Sequence, residues 1–97
     1  MIADDKRREL EIQADVGRKV NEMARTEAWT KIVAPSLSRR RDEHIRGLVM
    51  AEDFNAVLKL QAAIQEIEFL LGLVHTAVEQ GKGAQQELER ADQAREE

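Results

Sequence analysis

Two histidines, His44 and His75, stand 31 positions apart, and neither belongs to an HExxH pair or a Cys/His set of the kind that holds zinc. No metal site and no cofactor is therefore expected. His44, beside Asp42 and Glu43, has the residue types of an acid/base group. A hairpin turn region rich in charges holds solvated side chains, and that is how the trio is read. Ser36 and Ser38 lack the G-x-S-x-G elbow that presents a nucleophile, so they are read as a turn or helix-cap pair next to Pro35. The five glycines, at 17, 47, 72, 81 and 83, are scattered and open no phosphate loop. One basic cluster remains, Arg39, Arg40 and Arg41 followed by Arg46, which can meet phosphate or an acidic protein surface. Sequence-specific nucleic-acid binding would need aromatic residues interleaved for base stacking, and Asp42 and Glu43 stand there instead. No catalytic residue is assigned, and the chain is read as non-enzymatic.

The elements that must carry these residues follow from composition. The chain has 97 residues, 42% apolar and 35% charged, with aromatics at only 3% and no cysteine. Neither a disulfide framework nor a thiolate metal site can staple such a chain, and the mixture favours long amphipathic helices. A net charge of -4 gives no global attraction to nucleic acid or to an anionic membrane. No apolar run approaches the ~18 residues of a membrane span, and the charged first ten residues do not read as a signal peptide. A soluble protein made inside the cell is the expectation.

An all-α fold is predicted, a long antiparallel helical hairpin over about 26–50 and 53–80 with an N-terminal helix at 3–25. Residues 1–80 are read as a single helical domain and 81–97 as a polar, mobile or partner-dependent tail. In the first helix Ile12, Val16, Val20 and Met23 form a thin apolar stripe, and Asp15 is placed to pair with Lys19 one turn on. Thr26 is placed to cap the second helix, whose apolar side is carried through Pro35, with a break at 34–36 as the alternative. Asp53 then caps a third helix after a tight turn. There Val57, Leu60, Ile64, Ile67, Leu71, Val74 and Val78 recur at three and four, a heptad seam. Gly81 and Gly83 look like its stop.

That seam is flanked by further apolar residues, Leu58, Phe69, Leu70, Leu73 and Ala77, so the arc is too broad for one partner helix. The expected protein interface comprises Ile67, Phe69, Leu70, Leu71, Leu73, Val74 and Val78. Trp29 is included as an anchor whose first role is in the hairpin itself. Self-association or a protein partner is the expected use. Residues 51–80 carry five acidic side chains against Lys59 alone, opposite in sign to the arginine cluster, which helps to pair the helices or separate copies.

Thr26, Glu27, Ala28 and Trp29, the amphipathic helix to Val49, the acidic turn at Glu52 and Asp53, and the run Val57, Leu58, Leu60, Gln61, Ala62, Ile64 to Leu71 carry a resemblance. Over roughly residues 26–75 the chain resembles small helical-hairpin proteins encoded in the structural gene clusters of tailed phages and prophages, near the portal and head genes. The resemblance implies a non-enzymatic virion or assembly component, present in many symmetric copies, that offers its hairpin to a portal, head or tail protein. It also implies a location in the host cytoplasm during assembly and then in the particle. Two other readings use the arginines: an oligomeric phage module that sequesters a host factor or nucleotide, and a nucleic-acid-packaging accessory.

Overall fold

The computed structural model describes residues 2–96. Helix α1 (Asp4–Ala24) is followed by a six-residue π-helix (Ala28–Val33) that leads directly into α2 (Ala34–Met50), and α3 runs over Phe54–Glu96. The all-α prediction holds, with no strand among the described residues. The division into domains differs from the sequence expectation. Two units form, a terminal one from Met1–Ala24 with Val74–Glu97, and a middle one from Arg25–Leu73.

In the terminal unit, the small residues face inward. Leu10, Ala14 and Gly17 recur at four and three along α1, and Gly81, Ala84, Leu88 and Ala91 recur at three and four along α3. Leu10 (2% exposed), Ala84 (3%) and Leu88 (8%) form a buried cluster with Ala14 against it. A Cβ placed on Gly17 would lie 2.5 Å from the Gly81 Cα and 2.9 Å from the Ala77 carbonyl oxygen, so the two backbones touch here. No larger residue fits at that crossing. Arg7 of α1 pairs with Asp92 of α3 at 3.0 Å, which fixes the antiparallel sense: early residues of α1 meet late residues of α3.

Three expectations are corrected by this unit. Gly81 and Gly83 do not stop the helix; no glycine has a positive φ, and α3 continues to Glu96. Residues 81–97 are therefore not a polar tail without a face, since Gly81, Ala84 and Leu88 are buried. Of the predicted stripe, Ile12, Val16 and Met23 are turned outward, with Ile12 59% exposed, and Val20 alone is half-buried, because the small-residue face of α1 allows a closer approach of backbones than branched side chains do.

The middle unit begins at a capped helix start, as predicted: the Trp29 backbone N–H donates to the Thr26 hydroxyl oxygen at 3.2 Å. Pro35 has no amide to offer, and its ring crowds the carbonyl four residues back. The chain answers by widening the preceding turn. Ala34 N–H donates to the Trp29 carbonyl five residues back, and Pro35 falls in the first turn of α2, where a missing amide costs little. The helix thus carries through the proline. Ser36 caps nothing; its hydroxyl donates back to the Ile32 carbonyl at 2.5 Å. After α2, Ala51 is extended (φ -68°, ψ 131°), and the Asp53 carboxylate accepts from the Ala56 N–H at 2.7 Å, the expected cap of α3.

Candidate protein-docking surface

The inward side of α2 is set by Ala34, Leu37, Arg41, His44 and Leu48, all half-buried and spaced three, four, three and four. That is a heptad seam with two polar members. It was not legible as apolar periodicity because Arg41 and His44 occupy core-side positions, where the long stem of Arg41 covers apolar surface while its head reaches out. The matching seam on α3 is the predicted one: Val57, Leu60, Ile64 and Leu71 are half-buried and Ile67 is only 7% exposed. At Gly47, a Cβ would lie 3.3 Å from Leu60 Cδ1, so the glycine lets α2 settle onto that leucine.

This arrangement divides the predicted interface residues. Ile67 and Leu71 of the middle unit are turned inward, as are Val74 and Val78 in the terminal unit, where both are half-buried. The chain itself uses Ile67, and it is withdrawn from the interface. Trp29 is half-buried at the start of its helix. Phe69 (65% exposed), Leu70 (43%) and Leu73 (50%) stay open. Phe54 (73%) and Leu58 (47%) join them on α3, and Ile45 and Val49 are exposed one turn apart on α2. In the middle unit a single large apolar side chain is buried while ten are exposed, the reverse of what a self-sufficient helical pair shows.

Geometry also separates the arginine cluster. Arg39 and Arg46, seven residues apart, share the outward side of α2, and Arg40 is exposed a third of a turn away. Arg41 is half-buried on the inward side, with its side chain 3.8 Å from Asp42. Three successive guanidinium groups therefore do not present one surface. His44 is half-buried on α2, and His75 is exposed on α3. Among the described residues, no group of three potential metal-ligating side chains comes together.

The terminal unit has an open groove of about 350 Å³ beside the glycine crossing, lined by Ala14, Gly17, Arg18, Asn21, Val78 and Gly81, with Lys82 and Gln85 at its rim. Its cations are already engaged: Arg18 with Asp15, and Lys82 with Glu79 at 3.6 Å. Asp15 also takes the predicted bond from Lys19 at 2.9 Å. That hydrogen bond holds its carboxyl below the ordinary value of 3.8; partial burial opposes the shift, and the charges of Lys19 and Arg18 reinforce it. The groove assembles no reactive group.

Among the described residues, no helix is long and apolar enough to cross a membrane. No family model matches the chain, and no curated protein or solved structure matches it.

Proposed function

We propose that the chain is a non-enzymatic structural or adaptor protein that works by helix packing, with itself and with a larger partner. The observation that carries the proposal is the outward side of α3 in the middle unit, where Phe54, Leu58, Phe69, Leu70 and Leu73 are all exposed. At about 25 cal/mol per Å² of apolar surface removed from water, covering such side chains is a strong driving force for association. Several of its charged side chains lie in solvated pairs along one helix, Lys6 with Glu9, Lys19 with Asp15 and Lys31 with Glu27, as a packing element's outer surface does. The resemblance of residues 26–75 to hairpin proteins of tailed-phage structural clusters supplies the setting. In that setting the partner is a portal, head or tail protein, and the chain passes from the host cytoplasm into the particle.

The test is incorporation. Phe69→Asp leaves the inward seam intact, so circular dichroism should show unchanged helicity, while the amount of chain found by mass spectrometry in purified particles falls about tenfold or more, given the cost of burying an unpaired charge. Wild-type chain missing from both particles and assembly intermediates would overturn the phage assignment. Undiminished incorporation of the Phe69→Asp variant would remove this surface from the adaptor role.

A further inference from the structure

The exposed residues of α3 in the middle unit have an order of their own. Phe54, Leu58, Ala62, Gln65, Phe69 and Leu73 are all exposed and are separated by four, four, three, four and four residues. At 100° per residue they fall within an arc of about 100°, and that arc is centred about 150° around the helix from the seam of Val57, Leu60, Ile64, Ile67 and Leu71. So α3 has two apolar stripes on nearly opposite sides, and α2 occupies one of them.

The spacing of the outward stripe reads the same in both directions. Its midpoint lies between Ala63 and Ile64, so reversing the helix places position 54 on 73, 58 on 69, and 62 on 65. A surface with that property is complementary to itself under a two-fold rotation, which is the requirement of an isologous contact. We infer that a second copy of this chain docks antiparallel on this stripe, α3 against α3. Phe54 then meets Leu73 of the partner copy, Leu58 meets Phe69, and Ala62 meets Gln65, each pair occurring twice. Large side chains pack against large ones toward the ends, and the smallest residue lies near the axis, where the two helices come closest. The stripe extends over about 29 Å of helix at 1.5 Å per residue, long enough for a stable helix-helix contact.

Charge supports the same register. Lys59 and Glu66 lie on the same flank of the stripe, and neither has an ion-pair partner among the described residues. In an antiparallel pair like flanks face each other. In the register that sets 58 on 69, Lys59 of each copy lies about 3 Å along the axis from the level of Glu66 of the other, a gap their long side chains span at the rim, where charge sets orientation. In a parallel pair unlike flanks face each other, so Lys59 and Glu66 of one copy would lie across the contact from those of the other, with no pairing between them.

This inference rests on the packing reading above but fails separately from it. The chain has no cysteine, so introduced thiols report alone. Leu58→Cys/Phe69→Cys in the full chain should form a covalent dimer under mild oxidation. The two positions are 11 residues, or about 16 Å, apart on one helix, too far for a bond within one copy. Leu58→Cys alone should stay uncrosslinked, because antiparallel pairing holds the two copies of position 58 equally far apart. In sedimentation velocity the wild-type chain should run as a dimer, Lys59→Glu should weaken it by about tenfold, and Lys59→Glu/Glu66→Lys should recover most of that loss. Efficient crosslinking by Leu58→Cys alone would overturn the antiparallel register. A wild-type chain that is monomeric at 100 µM, roughly the limit for a weak specific contact, would overturn the dimer. If such a monomer still enters particles, only this inference is lost. If the dimer forms as described and never enters particles, it is the adaptor reading that is lost.

Discussion

The terminal and middle units are both built on α3, yet they solve the packing of two helices in different ways. In the terminal unit, glycine meets glycine, backbones touch, and a few side chains, Leu10, Ala84 and Leu88, are enough for a closed interior. In the middle unit larger aliphatic residues form the seam, Ile67 alone among them is buried, and ten large apolar side chains remain in water. Small residues seal a helix pair because they remove the space between the rods; large ones on several sides of a helix need more than one neighbour. One unit is closed by contact, and the other is open by composition.

The difference between the two units depends most on the glycine crossing. Gly81→Val drives a branched side chain into the Gly17 backbone, where even a Cβ lies 2.6 Å from the Gly17 Cα. Overpacking against unyielding backbone should cost about 3 kcal/mol or more. Amide exchange should lose protection over 4–24 and 74–96 while 34–50 keeps theirs; uniform loss across both units would show that they are not separately cooperative. A milder substitution sharpens the contrast. Gly83 has open space around its Cβ position, so Gly83→Ala should stabilise the terminal unit by about 0.5–1 kcal/mol through helix propensity alone, read as a higher midpoint in urea. Destabilisation there would mean that the second glycine is also part of a crossing.

The smallest expected effect is electrostatic. The folded pKa of Asp15 is depressed, so its contribution is present above the unfolded value of 3.8 and is lost as pH falls through the folded value. Helicity of the terminal unit should therefore decline slightly more in strong acid for wild type than for Asp15→Asn. The difference should shrink in high salt, because the pair with Lys19 is solvent-screened. Identical acid profiles would remove Asp15 from the account.

Much of this architecture was legible from periodicity. The seam from Val57 to Val78 stands out because branched aliphatic residues at three and four have no other common reading, and Thr26 and Asp53 cap their helices as their side chains allow. The terminal unit was not legible in the same way. Its inward faces consist largely of Gly and Ala, which carry little hydropathy, and they compete with the louder stripe of Ile12, Val16 and Met23 on the opposite side of α1. Gly81 and Gly83 carry the residue type of a helix stop, and only the presence of Gly17 across from Gly81 makes that position a crossing. Likewise, Arg41 and His44 disguised the seam of α2, and the outward stripe of α3 became distinct only when α2 was seen to occupy the other side.

Residue types and spacing by themselves determined that the chain is helical, where two of its helices begin, and which side of α3 between Val57 and Leu71 is turned inward, because caps and 3.6-residue periodicity act within one segment. Only tertiary structure decided that the ends of the chain pair with each other, that glycine serves as a point of contact, and which apolar side chains are left without cover. Those outcomes depend on how closely two backbones can approach, and that distance is a property of both helices together.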